Sequence, residues 1–515
     1  MIDLLIHASH IYPLGGTYRS CNAIAIKHGR VVATGDISVL RQQYKARKQL
    51  ELGEAYIYPA FHDAHCHLHR YARQQLEVDL RGCRSETEML ERVKSFAEQN
   101  PEGWIVGRSW DQNLWERPVY PSRERLDQYF PDRPVYLERI DIHAALVNTV
   151  ALNLAGITES SSVPGGEIKT KEGRMTGILI DNARNPLIDL IPAPSEERWE
   201  YALNRAQKSL WSMGLVALGD AMLTGEEADR LVRLEQKGSF VMPVYGMIPA
   251  DEAHLKRYLA AGPQQQANVS LGAFKLFADG ALGSRGAWLM EDYSDAPGER
   301  GLQLLDFDET LAIAQKVYDA GFQLCIHAIG DAANRQVIEL YQKILPPGNQ
   351  RRWRIEHCQM MAREDFRIMQ QYNILPSIQP THAISDAPWV GQRIGDRMMK
   401  SYPAQTLLDA CGKIVYGTDF PVESPDPLAT FRASVLREVE GEVFLSEERL
   451  SAQKTLSAMT EWAAFSAFWE AERGSLQAGK WADMIILDRN LLGERPEDVR
   501  FTKLLQTWVA GKVVF

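Results

Sequence analysis

Short apolar runs alternate with amphipathic stretches through most of the chain, which is the pattern of βαβ units around a parallel sheet. Two amphipathic stretches, Glu309–Ala320 and Asn334–Ile344, are predicted as helices. Eight apolar runs are predicted as strands, and eight parallel strands close a (β/α)8 TIM barrel. The predicted strands are Ile57–Ala64, Leu215–Asp220, Val241–Gly246, Leu271–Phe277, Gln323–His327, Trp353–His357, Leu375–Gln379 and Lys413–Asp419.

The stretch between the first two predicted strands is too long for one loop and one helix. It contains the segment RPVYLERIDIHAALVN at 133–148 and a Gly/Ser-rich piece at 160–166. We interpret residues from about 70 to 205 as an insertion with a structure of its own. Because it follows the first strand, we expect it to cover the C-terminal face of the barrel.

Both ends of the chain are rich in β-prone residues. Ala23–Lys27 and Arg30–Thr34 flank a His28-Gly29 turn, and the run ADMIILD occupies 482–488. We therefore predict that residues 1–56 and 473–515 meet in a small β-sandwich domain. The barrel would take residues 57–472, and two unrelated terminal hairpins are the alternative.

The composition is that of an ordinary globular enzyme, with 45% hydrophobic and 24% charged residues among 515. A net charge of −10 argues against nucleic-acid binding, which normally needs a basic face. No apolar run reaches bilayer length, and the first residues lack the pattern of a signal peptide. Six scattered cysteines without a CxxC pair favour a reducing compartment. We expect a cytoplasmic protein with a small-molecule substrate and no membrane partner, and we leave homo-oligomer formation open.

The sharpest local motif is His65-Cys66-His67, at the end of the first predicted strand. Residues i and i+2 of a strand point to the same side, so the two imidazoles can bind one metal ion. Asp63 lies two residues earlier on that side and could orient an imidazole. Because an isolated HxH also occurs by chance, further ligands are needed to support a site.

Four other polar residues fall at or near the ends of predicted strands, where barrel enzymes gather their catalytic groups. They are Lys275, His327, His357 and Asp419. Each alone has an ordinary explanation, such as a hydrogen-bonded core histidine or an aspartate capping a helix. Their coincidence on strands four, five, six and eight indicates a shared metal site.

This arrangement resembles the amidohydrolase superfamily, which has HxH on strand one, Lys or Glu on strand four, His on strands five and six, and Asp on strand eight. The surrounding residues are similar to family 3, which includes N-substituted formamide deformylases. The terminal β segments resemble the small β-sandwich domain of that family. His62 departs from it, because an apolar residue is usual there. The matching stretches are YPAFHDAHCHL, GAFKLFADGALGSR around Lys275, HAIGDAANR at 327–335, IEHCQ at 355–359, SIQPTHAISD at 377–386, YGTDFPV at 416–422 and GSLQAGKWADMIILD.

The resemblance implies a ligand set for a binuclear centre. His65, His67 and Asp419 would bind one divalent metal, and His327 and His357 would bind a second. Lys275 would bridge the two after losing its proton, as a carbamate formed with CO2. The alternative is an uncarboxylated Lys275 beside one metal. Two zinc ions per chain are expected, with iron, manganese or cobalt as alternatives.

The implied chemistry is hydrolysis of a C–N bond. Divalent metals lower the pKa of a bound water from about 15.7 to about 7. Asp419 would take a proton from that water and pass it to the leaving nitrogen. The sequence thus predicts a metal-dependent amidohydrolase that acts on bonds other than peptide bonds.

Several further residues are candidate substrate contacts. They are Trp110 and Asp111 in GRSWDQNLW, His143 in the insertion and His382 after the seventh predicted strand. Aromatic groups with a few polar anchors are typical of small-molecule pockets. The alternative for Trp110 is a place in the core of the insertion.

Two other functions compete with the amidase. A mononuclear deaminase of a heterocycle would use the same fold, with one metal and release of ammonia. A non-catalytic protein could keep the barrel as an interaction scaffold, but we expect such a protein to lose ligands. Metal content and an assay with amides separate the three.

Overall fold

The computed structural model describes residues 1–141 and 143–515. The chain divides into two compact units, residues 1–68 with 207–515 and residues 69–206. The first unit contains a parallel sheet of barrel type and a second sheet built from both chain ends. The finer division into a terminal domain and a barrel at 57–472 stays a prediction.

Eight parallel strands of the first unit pair in chain order, as expected for a TIM-like α/β barrel. We call them barrel strands 1 to 8. They are Phe61–Cys66, Leu215–Asp220, Val244–Pro249, Val269–Phe277, Gln323–Ala328, Arg354–His357, Leu375–Ile378 and Val415–Tyr416.

Glu196–Trp211 precedes strand 2, and at least one helix follows each of strands 2 to 8. The two predicted helices are confirmed, although each begins two or three residues earlier than predicted. The helices are Glu196–Trp211, Gly225–Gln236, Glu252–Tyr258, Phe307–Asp319, Asp331–Ile344, Asp365–Gln371, Pro380–Ile394, Ala404–Cys411, Pro427–Val435, Ala452–Ala458 and Glu461–Ser466.

The barrel nearly closes where the residues after strand 8 meet strand 1. The backbone N–H of Asp419 donates to the carbonyl of His65 at 2.7 Å, and that of His67 donates to the carbonyl of Phe420 at 2.8 Å. Gly417 allows this approach, because a Cβ there would lie 2.5 Å from the backbone nitrogen of His65. The candidate ligands His65 and His67, at the first strand, are therefore held next to Asp419, after the last strand.

Strand 1 is shorter than predicted. The apolar run at 57–64 breaks at Ala60, because Tyr56–Pro59 belongs to the terminal sheet, while Phe61–Cys66 enters the barrel. Both pieces are buried on both faces, so hydrophobicity does not mark the break.

Strands 3 and 8 also differ from their predicted bounds. Strand 3 begins at Val244, just after Pro243, which has no N–H to donate to a sheet. Strand 8 ends at Tyr416, so Asp419 is held by the loop after that strand.

Both chain ends contribute to one hydrogen-bonded sheet of eight strands. The predicted hairpin around His28-Gly29 is present, and Met484–Leu487 pairs with Tyr56–Pro59. The division of these strands into the two layers of a sandwich stays a prediction. The strands are Ile2–Ile11, Cys21–Lys27, Arg30–Gly35, Ala46–Glu51, Tyr56–Pro59, Met484–Leu487, Leu504–Val509 and Lys512–Val513.

Residues 69–206 form a mixed sheet of six strands with an apolar cluster on each face. Neighbouring residues alternate between the clusters: Ile105 lies in one and Val106 in the other, as the pleat of a strand requires. The strands are Val78–Asp79, Ile105–Trp110, Val135–Arg139, Ala144–Val147, Gly166–Lys171 and Arg174–Asp181, and the longest helix is Glu86–Gln99.

The six cysteines all carry free thiols. Across the described ranges 1–141 and 143–515, no helix combines the length and the apolar character needed to cross a bilayer.

Candidate metal centre

The predicted metal ligands lie at the C-terminal ends of their barrel strands. His65 is in strand 1 and His67 follows it, Lys275 is near the end of strand 4, and His327 is in strand 5. His357 ends strand 6, and Asp419 follows strand 8.

The carboxylate of Asp419 is the point on which three imidazoles converge. Its Oδ1 lies 3.2 Å from Nε2 of His67 and 3.6 Å from Nε2 of His65. Its Oδ2 lies 3.8 Å from Nε2 of His382. The groups His65–His67–Asp419 and His357–His382–Asp419 each bring their ligand atoms within 4.8 Å of one another. Asp419 is common to both.

His357 joins these groups to His327. Its ring centroid lies 4.5 Å from that of His327, 4.9 Å from that of His65 and 5.9 Å from that of His382. Four imidazoles thus form a continuous cluster at the ends of strands 1, 5, 6 and 7.

Lys275 is buried beside this cluster. Its Nζ has no hydrogen-bond partner among the described residues and lies 4.9 Å from the ring centroid of Phe277. Burial lowers the pKa of Lys275, because an ammonium loses its hydration there. A neutral amine has a lone pair, which is a requirement for binding a metal or reacting with CO2.

Burial also favours the neutral form of two of the imidazoles, those of His65 and His357. It lowers the pKa of His65 to about 4, with a further decrease from Lys275. The pKa of His357 falls well below its ordinary value because of burial and the neighbouring His327. Neutral imidazole is the form that binds metals.

Asp419 has the opposite character. Burial by itself would raise its pKa, but the hydrogen-bonding ring of His67 and the rings of His65 and His382 hold it well below the usual range. The lowered pKa favours an ionised carboxylate at the point where the imidazoles converge. The backbone of Asp419 has a φ of 60°, and the backbone of His357 has a φ of 80°. Such left-handed conformations are costly for residues with a Cβ and cluster at functional sites.

Two buried acceptors that we did not predict hold the imidazoles in place. Oε2 of Glu356 lies 2.6 Å from Nδ1 of His65, and Oε1 of Gln379 lies 2.8 Å from Nδ1 of His357. Each contact leaves Nε2 of the ring free to bind a ligand. The sequence signal for Glu356 was its place within RIEH, where a charged residue inside a buried strand needs a partner.

His382 has a different hydrogen bond. Nε2 of Gln359 donates to Nδ1 of His382 at 3.3 Å, so the ring proton of His382 is on Nε2. That proton makes Nε2 a donor near Asp419, which is the property of a substrate contact more than of a metal ligand.

Asp63 does not orient an imidazole, in contrast to our expectation. It accepts hydrogen bonds from the backbone of His65 at 3.0 Å and from Thr418, whose Oγ1 donates at 2.7 Å. Burial raises the pKa of Asp63 to about 7. Through these hydrogen bonds Asp63 connects strand 1 to the loop after strand 8. The carboxylate that contacts the imidazole of His65 is that of Glu356.

Three predicted substrate contacts belong to the unit 69–206. Trp110 is fully buried in one of its apolar clusters, and its indole donates to the carbonyl of Leu137 at 2.7 Å, which agrees with the packing alternative. Asp111 pairs with Arg139 at 3.0 Å. His143 is exposed, with Nδ1 2.8 Å from Oδ1 of Asp181.

His62 is buried on strand 1 and packs edge-on against Trp469, with ring centroids 6.4 Å apart. Burial lowers its pKa to about 3, with a contribution from Arg473. Burial therefore favours a neutral imidazole at this position of strand 1.

The residues present suit a divalent cation. Buried polar atoms are normally paired, yet Nζ of Lys275 and Oδ1 of Asp419 have no hydrogen-bond partner in the described part of the chain. Imidazoles around a buried carboxylate are a ligand set typical of zinc and similar metals. His327 contributes a further imidazole, 3.4 Å from Oδ1 of Asp279.

Comparison with known proteins identifies the family. A family model described as the amidohydrolase family matches residues 50–515. The chain is 32% identical to YtcJ of Bacillus subtilis, over 99% of this chain and 98% of that protein. It is 24% identical to the N-substituted formamide deformylase of Arthrobacter pascens, over 99% and 98% of the two chains.

Solved structures agree with this relationship. The crystal structure of a metal-dependent hydrolase from Pyrococcus furiosus is 27% identical, with a TM-score of 0.78, and covers 95% of this chain and 100% of that one. The fold, the placement of the polar residues and the match over nearly the whole length lead to one conclusion: this chain is a hydrolase that belongs to the amidohydrolase family, in its family 3 branch.

Proposed function

We propose that this chain is a metal-dependent hydrolase that cleaves the C–N bond of an amide or a related carbonyl compound. The observation that carries the proposal is the convergence of the imidazoles of His65, His67 and His382 on the carboxylate of Asp419. The name of the Arthrobacter relative specifies an N-substituted formamide, which contains an amide C–N bond. That name supports the same type of bond here, within a small-molecule substrate.

The residues that would hold the metals follow from their positions. His65, His67 and Asp419 would bind one divalent cation, and His327 and His357 a second. We expect zinc in both positions. When bound, the cations would polarise a carbonyl oxygen and lower the pKa of a water from about 15.7 to about 7.

Lys275 would connect the two positions. Burial lowers the pKa of its amine. In its deprotonated form the amine can form a C–N bond with CO2 and release a proton, which gives a carbamate with two oxygens. The negative charge of the carbamate would offset the positive charge of the cations in the buried site.

Asp419 would move the proton that hydrolysis requires. Its carboxylate would accept a proton from the attacking water and donate it to the nitrogen that leaves. The three facing imidazoles keep the carboxylate ionised before the reaction and fix its orientation.

His382 would position the substrate. Its Nε2 proton can donate to the oxygen of the scissile carbonyl, since Gln359 already occupies Nδ1. Asp111 and His143 stay proposed substrate contacts, as does the placement of their unit over the barrel.

A mononuclear deaminase of a heterocycle is the second candidate. The observation in its favour is that both ligand groups share Asp419, so a single cation can use either group. One metal per chain together with ammonia release would identify this reaction.

The metal content of the purified protein tests the proposal. We expect one to two transition-metal ions per chain, loss of amide hydrolysis after chelation and recovery after addition of zinc. His65→Ala should lose at least one bound ion, whereas His28→Ala, which removes an exposed side chain, should retain them. Full activity of rigorously metal-free protein would contradict the mechanism.

Substitution of Asp419 tests its role as proton carrier. Asp419→Asn should lower kcat by about 10²–10⁴-fold, because an amide cannot accept and return the proton. Asp426→Asn is the matched control, since Asp426 caps the helix after strand 8 and asparagine caps equally well. A kcat of Asp419→Asn equal to that of the control would remove Asp419 from the mechanism.

Substitution of His382 separates a substrate contact from a metal ligand. His382→Ala should retain the metal content of the wild type while kcat/KM falls by about 10–100-fold, the loss expected for one buried hydrogen bond to the reacting carbonyl. Metal analysis and steady-state kinetics provide the measurement. Loss of one metal ion per chain would instead make His382 a ligand.

A further inference from the structure

Glu356 is the most deeply buried charged group beside the candidate centre, with none of its surface exposed. A carboxylate in this environment is stable only when other groups replace the hydrogen bonds of water. Arg354, two residues earlier on barrel strand 6, provides that replacement. Its Nη2 donates a hydrogen bond to Oε2 of Glu356 at 2.9 Å. The Nε–Oε1 distance of 2.8 Å is that of an ion pair.

Arg354 is itself held from the neighbouring strands. Its Nη2 also donates to the carbonyl of Ala64 on strand 1 and to Oγ of Ser377 on strand 7, both at 2.8 Å. The pair Arg354–Glu356 is therefore connected to strands 1, 6 and 7 at once. Because no part of this pair is more than marginally exposed, little rearrangement is open to either side chain.

The oxygen of Glu356 that accepts from Arg354 also contacts His65. This Oε2 lies 2.6 Å from Nδ1 of His65, and an ionised carboxylate can only accept at that contact. The ring proton of neutral His65 must then be on Nδ1. Nε2 has the lone pair, and it faces Oδ1 of Asp419 at 3.6 Å.

We propose that Glu356, fixed by Arg354, is a positioning residue that holds His65 in the Nδ1-protonated form and directs its Nε2 lone pair toward Asp419. The purpose of this orientation rests on the function proposed above, namely a cation bound between His65, His67 and Asp419. The orientation itself depends only on the contacts of this chain.

The comparison with His357 indicates why a charged acceptor matters. His357 is held at Nδ1 by the neutral amide of Gln379, whereas His65 is held by a carboxylate. Hydrogen bonds to an ionised acceptor are about twice as strong as neutral ones. A carboxylate behind an imidazole also increases the electron density available to a metal at the other nitrogen. His65 would therefore be the most firmly oriented of these ligands.

The test begins with the ring nitrogens of metal-free wild-type protein. NMR of ¹⁵N-histidine-labelled chain, with the His65 signals assigned by their loss in His65→Ala, should show a protonated Nδ1 and an unprotonated Nε2. A proton on Nε2 would overturn the proposal. This measurement needs neither metal nor activity, so it remains decisive if the proposed hydrolase function fails.

The variant Glu356→Gln tests the consequence for metal binding. Its amide can offer an N–H to Nδ1 of His65, which would place the ring proton on Nε2. We expect the Kd for zinc, measured by chelator competition, to rise by about 10–100-fold. The ¹⁵N signals of His65 should change to those of the other tautomer.

Asp365→Asn is the matched control. Asp365 is also a fully buried carboxylate that pairs with an arginine, Arg335, in a contact between two helices of the same unit. The variant Asp365→Asn should lower the melting temperature, as Glu356→Gln does, but should not change the Kd for zinc. If Glu356→Gln matches the control in zinc Kd and leaves the His65 tautomer unchanged, the role of Glu356 is structural and the proposal is wrong.

Discussion

The contact between barrel strand 1 and the loop after strand 8 determines where the candidate ligands lie. Asp63 accepts hydrogen bonds from both sides of this contact, and Gly417 lets the two backbones approach. Asp419 is thereby brought within 4 Å of Nε2 of His65 and His67, although more than 350 residues separate them in the chain. The rings of His67, His65 and His382 hold the pKa of this carboxylate below its usual range, and burial lowers the pKa of His65 itself.

The site extends outward from this contact through groups that fix each ring. Glu356, Gln379 and Gln359 hold Nδ1 of His65, His357 and His382 respectively. The carboxylate and the carbonyl leave lone pairs on Nε2, whereas the amide N–H of Gln359 leaves a proton there. The partner at Nδ1 thus decides whether a ring can bind a metal or donate a hydrogen bond through Nε2. Neighbouring rings have different roles for this reason.

Much of this arrangement could be predicted because strand ends and polar residues coincide along the chain. The eight apolar runs gave the barrel, and the polar residues at their ends, such as His357 and Asp419, gave the cluster. Contacts between residues far apart in the chain could not be predicted from the sequence. Asp63 binds backbone instead of an imidazole, and Glu356 on strand 6 contacts His65 on strand 1. The split at Ala60 was also hidden, because both flanking strands are buried on both faces.

Anomalous diffraction from crystals, recorded on both sides of the zinc absorption edge, tests the central claim most directly. The account predicts a strong peak bounded by Nε2 of His65, Nε2 of His67 and Asp419, and a second peak near His327 and His357. Density beyond Nζ of Lys275 would reveal the carbamate. Crystals grown with zinc that show no peak between His65, His67 and Asp419 would contradict the assignment of this cluster as a metal centre.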